Sequence, residues 1–304
     1  MTAALGPRHS EVRRLRELLR DARARSAEQA FVVEGPRAID AALDHHVELE
    51  ATYLAPGAEQ SFAPLVARLR GAGVRIEQLK DGVLERVGST VTPQPVLAVT
   101  AIPRQDPAVL RNDGLVLVAV EVQDPGNVGA LLRSAEASGA AGIVLSAGSA
   151  DAYNPKVVRA SAGAIFGLPI LRERGPNEHG PNEHGPNESG PNERGWSVMD
   201  ALDALRDAGR ACFGTRAADG TPYDTADLAA PAAVLLGNEA RGLDAALDDQ
   251  LDGWLTIPMA GRAESLNVAM TGTVLCFEAA RQRAARTAPG RRFPNAPFPG
   301  GARP

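Results

Sequence analysis

LVLVAVEVQDPGNVGALLRSAE, residues 115–136, changes its residue pattern halfway along. Its first eight residues are almost wholly apolar, as expected of a strand buried on both faces of a parallel sheet. The remainder sets Val128, Leu131, Leu132 and Ala135 at the i, i+3, i+4, i+7 spacing of a helix with one buried stripe. A buried strand running directly into an amphipathic helix is the opening of an α/β unit. The same alternation continues downstream. GIVLS (142–146), LPIL (168–171), ACFGT (211–215), AAVLLG (232–237) and WLTIPM (254–259) read as strands. Between and after them lie expected helices over Pro155–Gly163, SVMDALDALRDAG (197–209), a short stretch after Gly242, and about Leu266–Arg283. This order predicts an α/β fold with a mostly parallel sheet covered on both sides, in which ligands collect at the carboxyl ends of the strands.

Upstream, FVVEG (31–35), a helical ALDHHVELEATYLA (42–55), a helix over Phe62–Gly71, and strands VRIEQL (74–79) and PVLAVTAI (95–102) make a small α/β unit. The expected division is a basic amphipathic helix in 1–27, a small domain over 28–104, a larger domain over 105–286, and a tail over 287–304. In SEVRRLRELLRDARAR (10–25), Val12, Leu15, Leu18 and Leu19 share one face, with Arg13, Arg14, Arg16, Arg20 and Arg23 largely elsewhere. Such a surface is either solvated or faces phosphate. GPNEHGPNEHGPNESGPNERG, four five-residue units over 175–195, has too much proline and glycine for regular structure and nothing apolar to bury, so disorder is expected there and in the tail. Arg286, Arg291, Arg292 and Arg303 have no acidic neighbours in the tail sequence and are candidates to touch RNA.

The 304-residue chain is 44% hydrophobic, enough for conventional cores, and no stretch is long and apolar enough for a membrane helix, so a cytoplasmic location is the default expectation. Its net charge of −5 argues against binding nucleic acid by bulk charge but leaves room for a local basic surface. Cys212 and Cys276 lie within apolar runs and read as small buried hydrophobes. No disulfide or metal site is expected. The sequence has no GxGxxG after a strand, no phosphate loop, no GxSxG elbow and no HExxH, and none of its five histidines falls at the strand ends. Histidine-based acid/base chemistry is therefore disfavoured.

What stands at the strand ends is polar: Asn127 and Arg133 after the first strand, Asn238 and Glu239 after AAVLLG, Ser265 and Asn267 after WLTIPM. Singly, Asn127, Ser265 and Asn267 have an explanation as helix caps, and Glu239 as a solvated acid. Arg133 does not; it lies off the buried stripe between the small residues Ala130 and Ala137, where an anion can approach.

DPGNVGALLRSAEASG, LLGNEARGL and IPMAGRAESLNVAMTGTVLCFEAAR together resemble the three ordered motifs of the SpoU/TrmH family of RNA ribose 2'-O-methyltransferases, members of the SPOUT class. The likeness continues through DAYNPKVVRASAGAIFGLP, and FVVEG with TPQPVLAV is similar to the small substrate-binding domain that precedes the catalytic domain in many members. The resemblance implies a C-terminal trefoil knot holding S-adenosylmethionine, and a homodimer formed through it. Carried over motif by motif, it implies a cofactor pocket around Thr215, Gly237, Asn238, Ile257 and Leu266. Asn127 and Arg133 fall on positions for RNA and catalysis, and Glu239, Ser265 and Asn267 on positions that shape the active site. Arg13, Arg14, Arg16, Arg37 and Arg159 are the candidate RNA contacts. The acceptor would be a ribose 2'-hydroxyl, which DNA lacks. The extra N-terminal domain points by analogy to ribosomal RNA, 23S, with transfer RNA the alternative. A catalytically silent RNA-binding or ribosome-assembly protein, or a nucleotide-using metabolic enzyme, are the competing classes.

Overall fold

The computed structural model describes residues 4–88, 93–104, 106–172 and 197–287. The expected disordered repeat (175–195) and, beyond Thr287, the expected tail lie outside the described residues.

The N-terminal unit runs α1 (Ser10–Arg20), α2 (Ala22–Glu28), β1 (Ala30–Glu34), α3 (Pro36–Asp44), β2 (Leu49–Leu54), α4 (Ala58–Ser61), α5 (Ala63–Gly71), β3 (Arg75–Gln78), α6 (Val83–Val87) and β4 (Val96–Ala101). Its four strands lie in the order β1-β4-β2-β3, with β4 antiparallel to both neighbours and β2 parallel to β3. Alternation along β1 divides its side chains between the two faces. Ala30 and Val32 pack against the apolar stripe of α1, while Phe31 and Val33 face the larger domain.

Two expectations change here. The basic helix is not a separate 1–27 segment: Val12, Leu15, Leu18 and Leu19 are all buried against this sheet, and Leu5 bridges to Leu79. It is also two helices, broken at Asp21, whose backbone is extended and whose carboxylate caps α2 by accepting from Arg23 N–H. And ALDHHVELEATYLA is not helical throughout. α3 stops at Asp44, His46 turns the chain at φ 55°, and Leu49–Leu54 becomes a strand because it can pair with both β4 and β3.

The larger domain runs β5 (Val116–Ala119), α7 (Pro125–Ala137), β6 (Gly142–Leu145), α8 (Pro155–Ala160), β7 (Ile170–Arg172), α9 (Val198–Asp207), β8 (Ala211–Thr215), β9 (Thr221–Pro222), β10 (Ala232–Leu236), β11 (Gly253–Thr256) and α10 (Val268–Thr287). The sheet order is β7-β6-β5-β10-β8-β11-β9, and every pairing in it is parallel. From β5 the chain winds outward through β6 and β7; β10 returns beside β5, and the sheet then extends the other way through β8 and β11. The strand order therefore reverses between β5 and β10, which opens a crevice at their carboxyl ends. The expected short helix after Gly242 is a 3₁₀ turn over Ala245–Gln250.

The two units share one core. Phe31, Val33 and Val96 belong to the same buried cluster as Leu117, Val128 and Val157. Arg25, buried at the end of α2, donates to Leu18 O (2.7 Å) and to Asp151 of the larger domain (2.6 and 3.0 Å). Between the units, buried Arg210 ties the connecting segment to the sheet by donating to the carbonyls of Leu110, Asn112, Gly114 and Ala232. Among the described residues, no helix is long and apolar enough to cross a membrane.

Candidate active site

The crevice is built from backbone ends. α7 begins where Asp124 accepts from Asn127 N–H (2.9 Å), so Asp124 is the cap and Asn127 is not, leaving the amide of Asn127 free to reach sideways. It reaches two other segments. Its Nδ2 donates to Glu239 (2.9 Å), on the loop after β10, and its Oδ1 accepts from Asn267 Nδ2 (3.0 Å), at the start of α10. Asn267 caps that helix, its Oδ1 accepting from Ala269 N–H (2.8 Å). Ser265 does not cap α10; it stands exposed two residues earlier.

Glu239 is the hub. Partial burial pushes its carboxyl up, but the donation from Asn127 and backbone N–H groups, including those of Asp124 (3.3 Å) and Gln123 (3.4 Å), outweighs this and holds it below the ordinary carboxylate range. A carboxylate so held is a poor base at neutral pH and a good anchor. Asn238, beside it, donates to Glu121 O (2.9 Å) and accepts from the N–H groups of Ala240 and Arg241 (3.0 and 3.1 Å), while its backbone exchanges hydrogen bonds with Gly242 (2.9 and 3.1 Å). That tight return requires Gly237 to have no side chain, because a Cβ there would lie 2.3 Å from the carbonyl carbon of Gly242.

A cavity of about 580 Å³ opens beside this network. Thr215, Gly237, Asn238, Ile257 and Leu266, the expected cofactor residues, all line it, as do Glu239, Ser265 and Asn267. Its deeper walls are apolar, Leu236, Leu255 and Leu275, and its polar wall includes Arg216, Arg241 and Glu264. These six were not singled out from the sequence. Arg216 directly follows Thr215, and Arg241 lies two residues after Glu239, so proximity to the motifs was the available signal.

Arg133 is not in the cavity wall. Six residues beyond Asn127, it is displaced about 9 Å along α7, exposed, with no hydrogen bond or ion pair to a described residue. The resemblance puts Arg133 with Asn127 on positions for RNA and catalysis, but a six-residue offset turns it onto a different face of α7 from Asn127. Among the RNA candidates, Arg13 and Arg37 are exposed and Arg16 partly so. Arg14 is instead committed internally to Glu50 (2.5 and 2.9 Å) and Glu28 (2.5 Å), and Arg159 pairs with buried Glu34 (3.4 Å). Arg286, grouped from sequence with the tail arginines that could touch RNA, lies in α10 and pairs with Asp227 (2.7 and 2.8 Å). Burial pushes the thiols of Cys212 and Cys276 up to about 11 and about 12, so neither is a ready nucleophile.

Comparison with known proteins supports the same segments. Residues 114–178 and 188–277 match the SpoU rRNA methylase family model, and residues 9–98 match the MRM3-like substrate-binding domain. The chain is 34% identical to the 23S rRNA (uridine(2479)-2'-O)-methyltransferase of Streptomyces viridochromogenes over 87% of this chain and 86% of that one. It is 33% identical to the 23S rRNA (guanosine(2553)-2'-O)-methyltransferase RlmP of Bacillus subtilis over 67% of this chain and 72% of that one. Among solved structures, it resembles the SpoU methyltransferase AviRb from Streptomyces viridochromogenes in complex with AdoMet, with TM-score 0.72 and 29% identity over 91% of this chain and 100% of that one. With the N-terminal unit and the catalytic motifs both matched, the chain belongs to the SpoU rRNA methylase family.

Proposed function

We propose that this protein transfers a methyl group from S-adenosylmethionine to a ribose 2'-hydroxyl of 23S ribosomal RNA. The observation that carries the reading is the hydrogen-bonded chain Glu239–Asn127–Asn267, which brings three distant segments to one side of the cavity. The cavity fits the donor: its volume lies within the roughly 300–1,000 Å³ of small-molecule sites, apolar Leu236, Leu255 and Leu275 suit a purine, and Glu239 and Glu264 offset the donor's positive charge. Bound there, the donor supplies an electrophilic methyl group. The protein's part is to orient the acceptor and stabilise charge as it develops on oxygen, with no covalent enzyme intermediate. Asn127, its amide fixed from both ends, is the group that meets the ribose; Ser265, exposed at the cavity, is positioned to join it.

Arg133 acts on the RNA instead of the donor. With its planar fork of N–H donors, Arg133 serves as a phosphate grip beside the target ribose. RNA reaches it across the N-terminal unit, where Arg13 and Arg37 are exposed and Arg16 partly so, with no ion pair to a described residue. The matches to 23S rRNA methyltransferases favour ribosomal over transfer RNA and support a reaction in the cytoplasm, where ribosomes are assembled. The parallel sheet and the close return at Gly237 are compatible with a trefoil knot. The exposed Met270 and Phe277, one heptad apart on α10, support a homodimer through that end of the molecule.

The test is to map 2'-O-methyl sites in 23S rRNA from cells with and without the gene. One site lost on deletion and restored by the wild-type gene is the expected result; an unchanged map, with transfer RNA altered instead, would move the substrate.

A further inference from the structure

Arg241 stands in the cavity wall two residues beyond Glu239, with 71% of its side chain exposed. Its Nη2 donates to the carboxylate of Glu121, on the loop after β5. Both partners are open to water, and ion pairs of this kind are weak and exchangeable. Glu121 is also held in an unusual backbone state: its φ of 52° lies in the left-handed region, which a residue with a side chain enters only at a cost. The surroundings enforce it, since its N–H donates to Ser146 Oγ (3.0 Å) and its carbonyl accepts from Asn238 Nδ2 (2.9 Å). The strained peptide thus aims a carboxylate at the one arginine of the wall that has no other side-chain partner among the described residues. Arg216, the other guanidinium there, is engaged, lying 5.2 Å over the Trp254 ring and donating to Asp219 O. Arg241 uses only Nη2, so Nε and Nη1 remain for a second anion.

We infer that Arg241 binds a phosphodiester of the RNA substrate at the cavity mouth, and that Glu121 is the counter-ion it exchanges for that phosphate. This rests on the RNA reading above. When RNA docks, the guanidinium turns from Glu121 to a phosphate oxygen and the carboxylate is released to water; in the free protein the pair keeps the arginine ordered and discourages other anions.

The test uses the full chain, 23S rRNA transcribed in vitro, and affinity measured across a salt series, with calorimetry for S-adenosylmethionine and thermal melts as folding controls. Arg241→Ala should weaken RNA binding about tenfold and flatten the salt dependence by the equivalent of about one phosphate, a slope change of roughly 0.7–0.9. Arg241→Lys should recover the slope, because the charge is kept. Glu121→Gln should tighten RNA binding by about twofold, since it removes a competing anion. Cofactor affinity should stay level in Glu121→Gln and move less than RNA affinity in the two Arg241 variants. Unchanged RNA affinity in Arg241→Ala, a weakening without a change of slope, or weaker RNA binding in Glu121→Gln would each overturn the assignment. So would a defect confined to cofactor affinity, which would give the guanidinium to the cofactor's carboxylate. Each of these leaves wild-type methylation standing, whereas wild-type protein that neither binds nor methylates 23S rRNA would remove the RNA reading itself.

Discussion

Asn127 has only two polar atoms on its side chain, and the structure uses both to hold the amide still, one against Glu239 and one against Asn267. Removing the anchor should therefore matter nearly as much as removing the amide. We expect Glu239→Ala to lower kcat on the order of 10–100-fold and, because it also removes a carboxylate facing the donor's positive charge, to raise the KM for S-adenosylmethionine, as read by tritium transfer to 23S rRNA. The pH dependence follows from the sign of the shift. The folded-state pKa of Glu239 is depressed, so its stabilising contribution is complete above the ordinary carboxylate value of about 4.3 and is lost as pH falls through the lower folded value. Glu239 should accordingly produce no step in a rate profile between about pH 6 and 9; a step there that disappears in Glu239→Gln would show it to be a titrating base. Arg133, outside the cavity wall, makes the complementary case. Arg133→Lys keeps the charge but loses the planar fork, so calorimetry should find cofactor binding intact and turnover assays should find most methylation gone. Near-normal turnover would remove Arg133 from the reaction.

At the scale of elements, α7 carries the site at its first turn and is positioned by what its glycines permit. A Cβ on Gly129 would lie 2.4 Å from Ala160 Cβ and 3.0 Å from Val157 O, so α7 and α8 meet backbone to backbone at that point. On its other side α7 meets α10, where Gly272 lies against Leu131 and Ser134 Oγ is 2.7 Å from Thr273 Oγ1. Gly129→Ala cannot be absorbed by a flexible side chain. It should destabilise the fold by about 1–3 kcal/mol, the usual cost of overpacking, measured by urea denaturation, and should lower methylation by tilting α7. A variant as stable as wild type would mean that α8 gives way without cost.

The whole molecule is joined more tightly than two domains on a linker. With Phe31 and Val33 in the same core as Val128 and Val157, deleting residues 1–104 would uncover apolar surface on the larger domain, so truncation tests folding before it tests RNA binding. Substitution at the surface is the cleaner probe. Arg13, Arg16 and Arg20 follow one another at i, i+3 and i+7 along α1, with exposed Arg23 beyond, and Glu17 and Asp21 interrupt the run of positive charge. Replacing all four arginines by alanine should weaken 23S rRNA binding and flatten its salt dependence by roughly 0.7–0.9 for each phosphate no longer neutralised, with cofactor binding and melting temperature preserved. An unchanged salt slope would move the RNA path off this helix. Phe277→Glu should convert a dimer to monomers in light scattering after gel filtration; a wild-type protein already monomeric would refute the proposed assembly.

Local pattern carried the fold because burial is periodic in the chain: the strand at 115–122, the stripe of α7 and the stripe of α1 each announce their buried face within a few residues. The three motif segments and several residues lining the cavity were legible because they are short, contiguous and strand-end. Partners distant in sequence were not. Arg14 looked as free as Arg13 until Glu50 came beside it, Arg286 looked unpaired until Asp227 did, and Leu49–Leu54 read as helix until β3 and β4 offered it hydrogen bonds. Charges cancel and backbones pair across space, not along the chain. Residue type and period therefore determined the architecture and the candidate chemistry, and only the folded structure decided which arginines keep a free charge and which amide is locked at the cavity.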